Sequence, residues 1–166
     1  MKTVVILIGP KGAGKTTIGK LLAEKIKVRF LDVEMLLMEY CSKHSVEPSE
    51  IPRHGYEIEY EEISKILSTE KMVIVESTGS SEFLVEYIKS IKLNYNLVPI
   101  KLESSYEVCL NRIRLRGNET NFEVSEKVIK NIYTKTANFN MNWAAIINTE
   151  TDYDISEIGD KIAQLV

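Results

Sequence analysis

A lysine and a threonine at the start of a helix, reached through a glycine-rich turn, form a phosphate-binding combination. Residues 9–16 read GPKGAGKT, so Gly9, Gly14, Lys15 and Thr16 satisfy the pattern G-x-x-x-x-G-K-[ST]. Each position has its own chemical reason. Glycine allows a tight turn and lets phosphate oxygens approach backbone N–H groups. A helix beginning near Lys15 aims unpaired N–H groups and the positive end of its dipole at an anion. The Lys15 ammonium can reach β- and γ-phosphates, and the Thr16 hydroxyl can ligate Mg²⁺. The candidate cradle is the whole run Gly9, Pro10, Lys11, Gly12, Ala13, Gly14, Lys15, Thr16 and Thr17. A turn that only caps a helix is the plainer alternative. The flanks, an apolar strand before and an amphipathic helix after, are those the phosphate role requires.

Two further groups of residues could take part in phosphoryl chemistry. Glu76 ends an apolar run and stands three residues before Gly79. A carboxylate there could accept the proton of an attacking hydroxyl; a strand-terminal acid followed by a turn, with Ser80 or Ser81 capping the next helix, is the alternative. Arg112, Arg114 and Arg116 follow at every second position, which puts Arg112 and Arg116 on one helical face and Arg114 off it. Planar guanidinium groups suit charge spread over phosphoryl oxygens. A solvated basic helix end would have the same sequence.

Such residues need a scaffold that brings them together. Thr3–Ile8 is a short β-branched run, the pattern of a strand buried on both faces. Ile18, Leu21, Leu22 and Ile26 then recur at helical spacing. Further strands are predicted at Arg29–Leu31, Met72–Val75, Leu97–Leu102 and Ala144–Ile147, with helical patterns between them. Pro99 lacks an N–H, so the regular part of the fourth strand is expected to begin at or after it. Tyr56, Tyr60, Ile63 and Leu67 are expected on one helical face. Strand–helix alternation with apolar strands calls for a parallel sheet covered on both sides. The fold class is α/β, with residues 1–166 as one domain.

Composition narrows the function classes. The 166 residues are 44% hydrophobic and 27% charged, with a net charge of −3. That balance suits a globular protein and gives no basic surplus for nucleic acid. Five consecutive apolar residues, Val4–Ile8, are too few for a signal peptide or a membrane span. The expectation is a cytoplasmic, soluble protein, monomeric or a weak homodimer, with no nucleic-acid or membrane partner. Cys41 and Cys109 lack paired spacing and are expected to be buried, reduced thiols. His44 and His54 have no partner at metal or nucleophile spacing and are expected at the surface; Trp143 is expected in the core.

The stretch GPKGAGKTTIGKLLAEKIKVRFLDVEMLL resembles the N-terminal part of shikimate kinase, and more broadly the small P-loop kinases of metabolites and nucleosides. The resemblance is dense over residues 4–37 and thin beyond. It implies a five-stranded parallel sheet in order 2-3-1-4-5, with helices on both faces and a short lid at Gly117–Glu123. It implies Asp32 as an acid that helps hold Mg²⁺ near the acceptor, and Glu34 as a substrate-binding carboxylate; an acid-rich helix N-terminus is the other reading of the pair. It implies Arg112 beside adenine, Arg116 at the transferring phosphate, and Asn148 and Thr149 bordering adenine. In EIPRHGYEIEYEEISKIL the family's carboxylate-gripping arginine aligns with Glu61 if one residue is inserted, and Arg53 is the cation that could replace it. The family's three-glycine run is reduced to Gly79 within ESTGSS.

The expected function is transfer of the γ-phosphate of Mg·ATP to a small-molecule acceptor. Lys15, Asp32, Glu76 and Arg116 are the catalytic candidates; Thr16 and Asp32 would bind metal; Asp32, Glu34, Arg53 and Gly79 would bind acceptor. A nucleoside or nucleoside monophosphate is the alternative acceptor. A nucleotide-binding switch without any acceptor is the alternative from another class.

Overall fold

A computed structural model describes residues 1–47, 51, 54–116 and 125–164. In chain order the elements are β1 Thr3–Ile8, α1 Lys15–Ile26, β2 Arg29–Phe30, α2 Val33–His44, α3 His54–Thr69, β3 Met72–Ser77, α4 Leu84–Asn94, β4 Asn96–Glu103, α5 Tyr106–Arg116, α6 Glu126–Asn138, β5 Ala145–Asn148 and α7 Ile155–Gln164. The five strands form one sheet in the order β2-β3-β1-β4-β5. Every pairing is parallel. The sheet order expected from the resemblance is the one observed.

All six residues of β1 are buried because the strand is central and both its faces are covered. Side chains of a strand alternate between faces. Val5 and Leu7 therefore join Ile18 and Leu22 of α1 and Ile162 of α7 in one apolar cluster. Val4, Ile6 and Ile8 join Ile63 and Leu67 of α3 and Leu84, Ile88 and Ile91 of α4 in the other. Each such side chain contributes about 2 kcal/mol relative to exposure. Two clusters of this size hold the carboxyl ends of β1 and β3 in register, Leu7 beside Glu76 and Ile8 beside Ser77.

The strand around Pro99 starts earlier than its sequence implies. It runs from Asn96 and pairs with β1 along Thr3–Ile8. The Pro99 carbonyl accepts the Ala144 N–H at 2.9 Å. A strand residue directs its nitrogen and its carbonyl to the same side, so the missing N–H faces the β5 edge, where pairing begins only at Ile100 and Ala145. The ladder to β1 is untouched. The core expectation for cysteine holds for Cys109, which is buried, but Cys41 is only half-buried. Trp143 is likewise half-buried, edge-on to Phe139. His44 and His54 are exposed.

Candidate active site

The turn between β1 and α1 is shaped by two glycines. Gly12 and Gly14 have φ of 86° and 85°, a backbone region that other residues enter at a cost. A Cβ on Gly12 would lie 2.4 Å from the Cys109 carbonyl oxygen, whereas one on Gly14 would meet nothing within 4 Å. The loop is thus pressed against α5 at one point and open at the other, on the side that leads to Lys15 and Thr16.

Those two side chains meet an acid from the neighbouring strand. The Thr16 hydroxyl lies 3.1 and 3.0 Å from the two carboxylate oxygens of Glu76. Lys15 donates to the Pro10 carbonyl at 3.1 Å. Burial pushes the Lys15 ammonium down from its ordinary value, and the Glu76 carboxylate opposes that shift. Burial raises Glu76, with Lys15 and the Thr16 hydroxyl opposing. Lys15, Glu76 and Thr16 thus form a set of one cation, one acid and one hydroxyl.

This set opens into a cavity of about 430 Å³. At one end stand Lys11, Gly14, Lys15, Thr16 and Glu76; at the other, Val33, Leu37, Ile51, Tyr56 and Glu59. Ser77, Thr78 and Ser81 line the β3 side, and Arg116 reaches in from the end of α5. The volume is that of a small-molecule site.

The remaining expected residues are distributed unevenly. Glu34 lines the cavity and lies 3.8 Å from Lys11. Asp32 does not line it: Oδ1 accepts the Met35 N–H at 3.2 Å as the cap of α2, and Oδ2 faces Lys20 at 3.5 Å. Its charge still acts on Glu76. Arg112 donates to the Thr149 carbonyl at 2.7 Å, to the Thr149 hydroxyl at 3.0 Å and to the Gly12 carbonyl at 3.4 Å. The arginine therefore ties the loop to the end of β5. The Asn148 Oδ1 accepts the Glu150 N–H at 2.9 Å. Thr17 is exposed. Gly79 has φ 74° and makes the turn after β3, where a Cβ would lie 2.7 Å from Ile8; the cavity is lined by its serine and threonine neighbours instead. Arg53 and the expected lid lie outside the described residues.

One expectation is corrected. Glu61, aligned with the acceptor-gripping arginine, is exposed on α3. The acid of α3 that lines the cavity is Glu59, which is 1% exposed. Glu61 lies two residues further along the helix, a rotation of about 200°, and so sits on the opposite face. Oε1 of Glu59 accepts the Tyr87 hydroxyl at 2.6 Å, and Tyr87 stacks on Tyr56 with ring centroids 4.5 Å apart. Burial pushes Glu59 up to about 8, against the hydrogen bond from Tyr87. Glu59 shares the buried stripe of α3 with Gly55, Ile63, Ile66 and Leu67.

The model of the AAA domain family matches residues 5–130. The chain belongs to that family. It is also 25% identical over 168 residues to a shikimate kinase of Flavobacterium psychrophilum, covering 95% of this chain and 97% of that one. With a cytidylate kinase of Sulfurisphaera tokodaii it shares 25% identity over 133 residues, covering 76% and 69% of the two chains. A crystal structure of a sugar kinase from Janibacter sp. HTCC2649 has the same fold, with TM-score 0.69, 10% identity, and coverage of 99% and 94%. In sequence and fold the chain resembles the small P-loop kinases of the shikimate kinase-like kind. The three proteins differ in the acceptor that their names specify.

Proposed function

We propose that the chain transfers the γ-phosphate of ATP to a hydroxyl group of a small molecule. The observation that carries this reading is the continuity of the phosphate loop with a largely apolar second compartment in one cavity. A nucleotide switch needs only the first; a kinase needs both, adjoining at the point of transfer.

Lys15 would neutralise charge on the β- and γ-phosphates, and Arg116 would approach the transferring phosphoryl group from α5. Positioning and charge stabilisation are most of what this chemistry requires. Glu76, which lines the cavity, would take the proton of the attacking hydroxyl; it is better placed for this than Asp32, whose carboxylate caps α2. The donor set fits Mg²⁺, a hard cation that prefers oxygen and is bound largely through substrate phosphates. Thr16 and Glu76 supply adjacent oxygens, and among the described residues no cluster of three or more His, Cys, Asp or Glu could hold a metal without help. When bound, the ion would draw charge from the β- and γ-phosphate oxygens. Thr16 would ligate it, with Glu76 and Asp32 supplying negative charge nearby.

The test is ADP release from Mg·ATP with and without a panel of shikimate, sugars, nucleosides and nucleoside monophosphates. Acceptor-dependent release supports the kinase reading. Slow hydrolysis indifferent to every acceptor supports the switch. Among the described residues no helix is long and apolar enough to cross a membrane.

A further inference from the structure

Glu59 belongs to no part of the phosphate machinery, yet it is the most deeply buried acid of the cavity. The other two acids have cations. Glu76 interacts with Lys15, and Glu34 faces Lys11 at 3.8 Å. Around Glu59 the titratable groups are Tyr87 from α4, Tyr56 from its own helix and Glu76 from β3. Across the cavity stand Glu34 of α2, Arg116 of α5, and Lys11 and Lys15 of the loop and α1. No cation pairs with Glu59 among the described residues.

A buried carboxylate without a cation is costly, and such a group keeps its proton instead. Its Oε1 is occupied by Tyr87, while Oε2 has no protein partner among the described residues. Glu34 also lines the cavity, its side chain partly exposed and its Oε1 3.8 Å from Lys11. The acceptor compartment therefore offers one acid O–H that can donate and one carboxylate oxygen that can accept. It offers no described positive charge beyond the phosphate end.

We propose that the acceptor is an uncharged polyhydroxylated molecule, held between Glu34 as hydrogen-bond acceptor and Glu59, in its neutral acid form, as hydrogen-bond donor. Free sugars, cyclic polyols and unphosphorylated nucleosides share this chemistry. A carboxylate or phosphate on the acceptor meets Glu34 and Glu76, while the described cations of the cavity, Lys11, Lys15 and Arg116, belong to the phosphate loop, α1 and the end of α5. The inference rests on the kinase reading, and it makes Glu59 a specificity-determining residue.

The experiment compares matched acceptors that differ in charge, under saturating Mg·ATP: hexose with hexuronic acid, cyclic polyol with shikimate, nucleoside with its 5′-monophosphate. The uncharged member of at least one pair is expected to have the higher kcat/KM by tenfold or more. Its KM should rise about tenfold between pH 7 and pH 9 as Glu59 loses its proton, because apparent affinity scales with the competent fraction. In Glu59→Gln, whose amide still donates, KM should stay flat across that range. A charged member preferred in every active pair, or the same pH profile in wild type and Glu59→Gln, overturns the proposal. If no acceptor stimulates ADP release, calorimetry with a non-hydrolysable ATP analogue separates the two ideas. Binding of an uncharged member without turnover removes the kinase reading and keeps the site; binding of none removes both.

Discussion

The two ends of the cavity solve different problems with different materials. The phosphate end is built from backbone and paired charge: a glycine loop with two left-handed residues, Lys15 beside Glu76, and the Thr16 hydroxyl against that acid. The acceptor end is built from apolar side chains and neutral hydroxyls, with the one buried acid held by Tyr87. Phosphate is the same ligand in every protein of this kind, so its cradle has fixed spacing in the chain. Acceptors differ, and their compartment is assembled from α2, α3, β3 and α5, whose spacing in sequence carries no fixed pattern.

That contrast can be broken most forcefully at Lys15. Lys15→Ala is expected to lower turnover by about 10³-fold, since a charge-stabilising contact in a desolvated site is removed. The far-UV circular dichroism spectrum should not change; an equal loss of helical signal would assign Lys15 to the fold rather than to phosphate. Arg116→Ala should lower kcat by on the order of 10²-fold with a smaller change in the KM for ATP, if its contact is made in the transition state. Steady-state kinetics decide it, and parallel losses in both constants would return Arg116 to a solvated helix end.

The acceptor end yields smaller effects. Shikimate is expected to be a poor substrate, with kcat/KM roughly 10²-fold below the ~10⁴ M⁻¹s⁻¹ of an ordinary enzyme, because Glu61 stands where the resemblance places the carboxylate-gripping arginine and acids line the cavity. A value at or above that range would restore a shikimate-binding site and overturn the contrast. The smallest effect is on stability. Glu59 titrates near 8 in the folded chain against an ordinary 4.5, so between those values the folded state holds a proton that the unfolded state releases. Its favourable contribution is complete below about 4.5 and is lost as pH rises through about 8. Glu59→Gln should melt close to wild type at pH 5 and several degrees above it at pH 8.5, by scanning calorimetry. The reverse order would mean that Glu59 is ionised and paired in the fold.

Legibility in the sequence follows the same division. The strands were readable because central parallel strands are continuous apolar runs, as Thr3–Ile8 shows, and the sheet order followed from the resemblance over residues 4–37. Lys15, Thr16, Glu76 and Arg116 were readable from spacing and type, and all four line one cavity. Asp32 was readable as an acid at a helix start, but sequence could not say that its oxygens cap α2 and face Lys20. Glu59 was hidden in the acidic run EIEYEE, which looks like a solvated face. Only the rotation of α3, fixed by packing of Ile63, Ile66 and Leu67, turns one of its glutamates inward. The start of β4 before Pro99 was hidden for a related reason: which side of a strand lacks a partner depends on where its neighbour begins.

The contacts of Arg112 bear on the speed of nucleotide capture. By bonding at once to the Gly12 carbonyl and to Thr149, this side chain gives the phosphate loop, α5 and the end of β5 a common anchor. A loop that had to find its shape around each arriving nucleotide would bind slowly and surrender part of its affinity to lost conformational freedom. Here that ordering belongs to folding. Nucleotide arrival should behave as rigid docking, with little temperature dependence beyond that of diffusion, and releasing the anchor with Arg112→Ala should slow association before it alters the chemistry of transfer.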